Sequence, residues 1–366
     1  MRKYSELEKL LHLLVRLKGS DLHLKSQHPP IVRTGGKLRA VEMPEVSAQG
    51  METLAREILD EDKLAELERT GGADIALSIP EVGRFRLNVY RQRGSLTIAA
   101  RRVNTEIPSL EELHLPGFLR TLAEFERGMV ILSGTTGSGK STTLAAMIEH
   151  INRTRREHII TIEDPIEYLF TDKKSVIAQR EIGIDVDNWD SALKYVVRQD
   201  PDTILIGEMR DRDTLQAAMT AAETGHLVFG TLHSGTVVQV FGRILDLFES
   251  VDHPQIRNGL AFNLQAIVCQ QLLTSTQPGT ERVPALEILI ATPIVRKLIR
   301  DGDFAKLLDV VSSSAEEGMM DFNFSLAGLV RDGFIDKNTA LAASPMREAL
   351  EMHLKGIDIS KKGIVS

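Results

Sequence analysis

The chain has 366 residues, of which 42% are hydrophobic and 26% are charged, with a formal net charge of -7 at pH 7. These values are typical of a soluble globular protein, and the length suffices for two or three domains. No apolar run approaches the roughly 20 residues of a membrane-spanning helix, the N-terminus lacks the apolar core of a signal peptide, and the negative charge gives no overall drive toward nucleic acid. We therefore expect a cytoplasmic protein with no transmembrane segment and no nucleic-acid partner.

Residues 1–104 have the pattern of a mixed α/β domain. A helical periodicity covers 7–17, and short strand patterns follow at 31–41 and 75–79. Residues 84–90 alternate polar with apolar side chains, which predicts a half-buried strand with Arg84 and Arg86 on one face. A turn at Gly94 and a returning strand at 95–103 add Arg101 to this basic cluster. A solvated strand face is the default interpretation of such a cluster.

A linker at 105–116, marked by Pro108 and Pro116, precedes a second domain at 117–366. There, apolar strands alternate with longer helical stretches, which indicates a mostly parallel sheet covered on both faces and an α/β fold class. The candidate strands are 129–132, 158–162, 203–206 and 227–231. Beyond residue 250 we expect mainly helix, and a tail from Gly356 with little core.

The most informative motif follows the first of these strands. Residues 134–141 fit the pattern GxxxxGK[ST], whose backbone N–H groups cradle nucleotide phosphates, whose lysine reaches the β- and γ-oxygens and whose last hydroxyl binds Mg²⁺. A glycine-rich surface loop is the alternative, but it has no need of a Lys-Ser pair at a helix N-terminus. The predicted ATP-binding residues are Gly134, Thr135, Thr136, Gly137, Ser138, Gly139, Lys140, Ser141 and Thr142.

Polar side chains follow the other candidate strands too. Glu163 follows the second, Glu208 follows the third, and His226 and His233 flank the fourth. Because ligands of open α/β sheets bind beyond the carboxyl ends of the strands, we expect one catalytic crevice. One carboxylate supports the Mg²⁺ shell and the other activates water, but periodicity does not assign the two roles. Each histidine is either a γ-phosphate contact or a satisfied structural residue.

The basic cluster raises a further hypothesis. It contains the arginines at 84, 86, 91, 93, 101 and 102. An arginine supplied in trans accelerates phosphoryl transfer by roughly 10³ to 10⁵. If these arginines reach a neighbour's nucleotide, the active unit is a ring.

Together these motifs resemble those of the twitching-motility ATPases, the PilT/PilU retraction motors of the secretion ATPase superfamily, over nearly the whole chain. Residues 19–24 with Pro29-Pro30 resemble the start of a PAS-like domain, and residues 84–88 resemble the arginine strand of the family. The acidic box, the Walker B segment and the histidine box correspond to 161–167, 206–211 and 224–233.

This resemblance implies roles for six residues: Glu163 activates water, Glu208 supports Mg²⁺ through a water, His226 and His233 sense or position the γ-phosphate, and Arg86 and Arg101 are arginine fingers. It also implies a RecA-like second domain and a homohexamer. Such a motor lies at the cytoplasmic face of the inner membrane and acts on a pilus platform protein, in some cases beside a paralogous ATPase.

The resemblance favours retraction over assembly. Extension and type II secretion ATPases usually carry a four-cysteine zinc segment and an additional N-terminal domain, whereas this chain has only Cys269 and begins almost directly at the PAS-like segment. However, residues 294–301 read Ile-Val-Arg-Lys-Leu-Ile-Arg-Asp where retraction motors typically read Ala-Ile-Arg-Asn-Leu-Ile-Arg-Glu. A principal motor and an accessory paralogue therefore both stay open.

Two interpretations from other classes are weaker. A nucleic-acid translocase would use the arginines to track phosphates, but the acidic net charge disfavours it. A regulatory module with little turnover is disfavoured by the complete set of polar strand ends.

Overall fold

The computed structural model describes residues 6–355, so the tail from Gly356 lies outside the described residues. The chain divides into two compact units. One contains the chain up to Glu106 together with Glu167–Leu169, and the other contains Ile107–Ile166 and the chain from Phe170 onward. Within residues 6–355, no helix is long and apolar enough to span a bilayer.

The first unit is an antiparallel sheet of six strands in the order β3-β2-β1-β6-β5-β4. Its elements are α1 (Glu6–Arg16), β1 (Asp21–Lys25), β2 (Ile31–Thr34), β3 (Lys37–Ala40), α2 (Ala48–Ile58), α3 (Glu61–Thr70), β4 (Gly72–Ile79), β5 (Gly83–Gln92) and β6 (Ser95–Arg102). Helix α1 buries Leu7, Leu10, Leu11 and Leu14, the spacing of one helix face. These leucines share one core with Phe85 and other alternating strand residues.

Two details of this unit bear on the sequence-based expectations. The alternation in β5 is confirmed, because Phe85 and Leu87 are buried while Arg84 and Arg86 lie on the other face. The continuous strand expected at 31–41 is wrong. It is a hairpin of β2 and β3, turned by Gly35 and Gly36 at φ 54° and 75°, which residues with a Cβ rarely adopt.

The second unit is a sheet of seven strands in the order β13-β12-β7-β11-β10-β8-β9. Its strands are β7 (Gly128–Ser133), β8 (His158–Glu163), β9 (Val176–Glu181), β10 (Thr203–Ile206), β11 (Leu227–Leu232), β12 (Leu264–Thr274) and β13 (Arg282–Ile290). Its helices are α4 (Phe118–Ala123), α5 (Lys140–Thr154), α6 (Trp189–Val196), α7 (Arg212–Glu223), α8 (Val237–Leu245), α9 (His253–Asn263), α10 (Pro293–Asp301), α11 (Leu307–Ser313), α12 (Phe322–Arg331), α13 (Lys337–Ala343) and α14 (Arg347–Leu354).

All neighbouring strands of this sheet are parallel except β13, which is antiparallel to β12. Strand β7 shows why helices cover both faces. Met129 and Ile131 join a core with α6, α7 and α8, whereas Val130 and Leu132 join a second core with α4 and α5. The α/β fold class and the four candidate strands are therefore confirmed.

The expectation of a mainly helical chain beyond residue 250 is wrong in part. Helices do follow, but β12 and β13 form one edge of the sheet. Residues 266–270 of β12 are all buried. A strand buried on both faces lacks the alternation that distinguishes a strand from a helix, so its pattern is ambiguous.

A buried carboxyl group lies inside this edge of the sheet. Glu287 of β13 is 2% exposed and faces Cys269 across the β12–β13 ladder. Its Oε1 accepts a hydrogen bond of 2.5 Å from the N–H of Val237, the first residue of α8. Burial raises the pKa of Glu287 to about 7, the Val237 hydrogen bond opposes this shift and the charge of Asp321 adds to it. Burial and the Glu287 charge likewise raise the pKa of the Cys269 thiol.

Glu287 is expected to make folding stability depend on pH. Its pKa in the folded protein, about 7, lies above the ordinary value of 4.5. The contribution of Glu287 to the free energy of unfolding is therefore fully present below the ordinary pKa and is lost as the pH rises through the folded-state pKa. We expect a loss of about 3 kcal/mol between roughly pH 5 and pH 8. Glu287→Gln keeps an acceptor for Val237 and should remove this slope in urea unfolding. The exposed Glu281→Gln is the control, and equal slopes in wild type and Glu287→Gln would contradict the assignment.

Candidate nucleotide-binding and catalytic site

The loop at 134–139 connects β7 to α5 and requires glycine at specific positions. Gly134, Gly137 and Gly139 have φ values of 154°, 79° and 87°. A Cβ on Gly134 would lie 2.4 Å from the carbonyl oxygen of Gln270 and 2.6 Å from Ser138 Oγ. The loop is therefore compact because its backbone approaches a neighbouring strand more closely than a side chain permits.

Lys140 begins α5, and its ammonium group lies inside the loop. Lys140 Nζ donates hydrogen bonds to the carbonyl oxygens of Gly134 at 2.8 Å and Thr135 at 3.2 Å. Gly139, the N-cap of this 15-residue helix, supplies no side-chain cap. The amino end of α5 thus combines backbone N–H groups, the helix dipole and a cation, which together attract phosphate.

Two polar side chains from the sheet hold the base of the loop. On the β11 side, Ser133 Oγ accepts a hydrogen bond of 2.9 Å from Ser234 N–H and lies 2.8 Å from the Ser234 carbonyl oxygen. On the β12 side, the buried amide of Gln270 bonds Ser138 and Thr143. The sequence pattern did not indicate Ser133 or Gln270, because neither belongs to the motif and each acts across the sheet.

The strand register brings Glu163, Glu208 and His233 to the carboxyl ends of the parallel strands, where the loop also lies. Ile206 of β10 pairs with Ile162 of β8 and with Gly230 of β11, and Leu232 pairs with Ser133. The residues that follow these positions therefore emerge side by side. His233 Nε2 lies 3.4 Å from Glu208 Oε1.

Neighbouring groups hold the Glu163 carboxylate and the backbone next to Glu208. Glu163 Oε1 accepts hydrogen bonds from Thr161 Oγ1 at 2.7 Å and Gln179 Nε2 at 3.2 Å. Next to Glu208, Gly207 N–H donates to the Ile162 carbonyl at 2.8 Å, and Thr231 Oγ1 donates to the Gly207 carbonyl at 2.5 Å. The backbone that carries Glu208 is thus bonded to the strands on both sides.

His226 lies at the opposite end of the parallel strands, the amino end. It precedes β11, whose six residues separate it from His233 by about 20 Å. Its Nδ1 lies 2.9 Å from the carbonyl oxygen of Ala221 in α7, and since a carbonyl only accepts, this nitrogen carries the proton. The structure therefore brings His233, but not His226, to the loop.

Arg86 and Arg101 lie in the first unit, on the sheet face opposite its core. They are direct cross-strand neighbours, and Asp21 is the next residue in the same row, opposite Arg101. Arg101 Nε donates a hydrogen bond of 2.7 Å to Asp21 Oδ1, yet its side chain is 75% exposed. Burial alone would raise the pKa of Asp21, but hydrogen bonds from Arg101 and Ser20 outweigh it and lower the pKa.

A cavity of about 350 Å³ opens beside the loop within the second unit. Gly139, Thr142 and Thr143 line it on the side of the phosphate loop. The rest of its wall includes Leu115, Leu272, Pro284, His114 and Arg282. This combination of apolar and polar groups next to a phosphate loop suits a nucleoside.

The described residues contain no group of three or more His, Cys, Asp or Glu side chains arranged to hold a metal ion. Ser141 and Glu208 are both partly exposed and offer oxygen donors. Mg²⁺ typically takes one or two such protein ligands, with phosphates and waters completing its shell. The donor set therefore fits a cation that arrives with a nucleotide.

This arrangement defines a class of protein. A parallel sheet whose strand β7 ends in a glycine-rich loop and a lysine, with carboxylates at neighbouring strand ends, is that of a P-loop nucleotide hydrolase. Residues 6–308 also match the family model described as Type II/IV secretion system protein. The chain belongs to this family and, within it, to the PilT/PilU pilus retraction ATPases.

The similarity extends over most of the chain. The type IV pilus retraction ATPase PilT of Pseudomonas aeruginosa is 36% identical over 335 residues, which cover 92% of this chain and 97% of that protein. The type IV pilus ATPase PilU of the same organism is 39% identical over 350 residues, covering 96% and 91%. A crystal structure of the pilus retraction motor PilT with bound ADP has a TM-score of 0.86 at 41% identity, covering 95% and 99%. The chain is thus an ATPase.

Proposed function

We propose that this chain is a hexameric motor that uses ATP hydrolysis to retract type IV pili. The observation that supports this proposal best is its similarity to PilT over nearly the full length of both chains. In this proposal residues 1–104 form a PAS-like domain, 105–116 form the linker, and 117–366 form a RecA-like ATPase domain with a helical C-terminal part.

The proposed nucleotide site uses the loop for the phosphates and the adjoining cavity for the nucleoside. When a nucleotide binds, Lys140 Nζ would replace its hydrogen bonds to the two loop carbonyls with bonds to the β- and γ-phosphate oxygens. Its positive charge then lies next to the negative charges of the phosphates. Ser141 directly and Glu208 through water would hold Mg²⁺, which neutralises phosphate charge when bound. His233 lies beside Glu208, so it is suited to sense the γ-phosphate.

Glu163 is the proposed general base. Thr161 and Gln179 hold its carboxylate at the strand end, so its orientation does not depend on the nucleotide. Glu208 lies beside His233 and is the carboxylate proposed to support Mg²⁺, which leaves Glu163 for water activation. This assignment separates water activation from metal support.

Glu163→Gln should abolish hydrolysis and leave nucleotide binding intact. An amide has nearly the shape of a carboxylate but does not accept a proton, and loss of general-base catalysis costs about 10² to 10⁴ in kcat. We expect that loss in steady-state ATPase assays, with unchanged ADP affinity by calorimetry. Glu249→Gln, at an exposed position, is the control. Full turnover in Glu163→Gln would instead indicate that another group activates water.

We further propose that Arg86 and Arg101 act in trans on the nucleotide of an adjacent protomer in a homohexamer. The second unit offers only Lys140 as a cation within the loop, whereas phosphoryl transfer gains from a second one in the transition state. Asp21 lies in the same row as both arginines and orients the Arg101 guanidinium. The face that carries them lies opposite the core of its own unit.

Arg86→Ala and Arg101→Ala should therefore lower kcat by about 10³ to 10⁵ without weakening ATP binding. Arg69→Ala, which removes an exposed positive charge from α3, should have no effect. Mixing either variant with Glu163→Gln protomers should restore some activity, because wild-type fingers then meet wild-type carboxylates at some interfaces. Unchanged turnover in both arginine variants would overturn the shared site.

The cellular part of the proposal is that the motor lies at the cytoplasmic face of the inner membrane and acts there on a pilus platform protein. Deletion of the gene should leave abundant surface pili and abolish twitching, as counted by electron microscopy and measured on agar. Absent pili would indicate an assembly motor. If twitching persists until a paralogous ATPase is also deleted, the chain is the accessory member of a pair.

A further inference from the structure

We propose that Gln270 is a positioning residue that sets the orientation of the phosphate loop for nucleotide binding. Gln270 lies on β12, next to β7, and is 2% exposed. Its Nε2 donates a hydrogen bond of 2.7 Å to the carbonyl oxygen of Ser138, and its Oε1 accepts one of 2.9 Å from Thr143 Oγ1. This inference rests on the proposed role of the loop as the phosphate site.

The bond to Ser138 controls a donor on the other side of the same peptide group. The peptide between Ser138 and Gly139 is planar and trans, so its carbonyl and its N–H point in opposite directions. When Gln270 holds the carbonyl toward β12, the Gly139 N–H points away from β12 and into the concave side of the loop. Without this bond the peptide can rotate, because glycine at φ 87° places little steric limit on the neighbouring torsions.

The bond to Thr143 fixes the helix relative to the same amide. Thr143 lies in the first turn of α5, is 2% exposed and also lines the cavity beside the loop. One rigid amide plane thus connects the last peptide of the loop to the first turn of the helix. These two segments supply the N–H groups that a β-phosphate meets.

The fit around Gln270 is close enough to make its identity matter. A Cβ on Gly139 would lie 2.8 Å from Gln270 Nε2. Replacing the amide removes these partners of the Ser138 carbonyl oxygen and Thr143 Oγ1. Because buried polar groups that lose a partner destabilise a protein, the substitution is costly. The next residue, Gln271, is partly exposed, and by strand alternation its side chain is on the other face of the sheet. It is the matched control.

The test compares full-length wild type with Gln270→Leu, Gln270→Glu and Gln271→Leu. Calorimetry with ADP and steady-state kinetics with ATP should show about a tenfold increase in Kd and KM for both Gln270 variants, the loss expected for one buried hydrogen bond. Saturating kcat should change less than about threefold, because the carboxylates are untouched. Gln270→Glu, when ionised, keeps an acceptor for Thr143 and loses the donor to Ser138, and Gln271→Glu, which adds the same charge on the other face of β12, controls for repulsion of the nucleotide phosphates. Gln271→Leu should bind ADP normally.

A double variant separates positioning from stability. Adding Thr143→Val to Gln270→Leu removes the stranded hydroxyl, so the melting temperature without nucleotide should partly recover. ADP affinity should stay weak, because the Ser138 carbonyl is still unheld. Recovery of affinity together with stability would overturn the proposal, as would normal affinity in both single Gln270 variants.

Lys140→Ala tests the proposal on which this inference rests, that the loop at 134–139 and Lys140 bind the nucleotide phosphates. If it weakens ADP binding while the Gln270 variants bind normally, only the Gln270 inference fails. If Lys140→Ala binds ADP normally, the assignment of the phosphate site fails, and the Gln270 inference fails with it.

Discussion

The site depends on how closely the two strands beside β7 approach the phosphate loop. On one side Ser133 bonds the backbone of Ser234, and on the other Gln270 bonds the Ser138 carbonyl. Buried backbone groups need partners, and here the sheet supplies them for the inner surface of the loop. With the Ser138 carbonyl held toward β12, the N–H of Gly139 points into the concave side of the loop, where we propose that phosphate binds. The glycine at 134 follows from the same constraint, since a side chain there would push the loop off β12.

The parts of this architecture that the sequence predicted are those encoded locally. The phosphate loop lies within eight residues, and each polar residue lies within two positions of the end of its own apolar run, so the pattern indicated both the fold class and Glu163, Glu208 and His233. The parts it missed depend on pairing between distant segments. Gln270 meets Ser138 across 132 residues of sequence, and its strand lacks alternation because the sheet buries both of its faces.

The first unit shows the same division. The alternation of polar and apolar residues predicted the arginine face of β5, because an antiparallel strand with one buried face has apolar side chains at every second position. The acid that organises this face was not predictable, since Asp21 meets Arg101 only through the register of β1 on β6. Asp21 restricts the Arg101 guanidinium through the bond at Nε. In the proposed trans arrangement, a guanidinium held in this way loses less conformational entropy on binding a phosphate than a freely rotating one.

The two histidines show why a sequence motif need not be one functional unit. His226 and His233 both belong to the segment that resembles the histidine box, but a strand of six residues holds them about 20 Å apart. A nucleotide at the loop meets only the carboxyl ends of the strands, where His233 lies beside Glu208. At the amino ends, the Nδ1 of His226 bonds the Ala221 carbonyl near the end of α7, and the His226 carbonyl accepts a hydrogen bond from the N–H of Gly128 at the start of β7. His226 is therefore bonded to α7 and to the start of β7, whereas the position of His233 beside Glu208 fits the γ-phosphate role proposed for it.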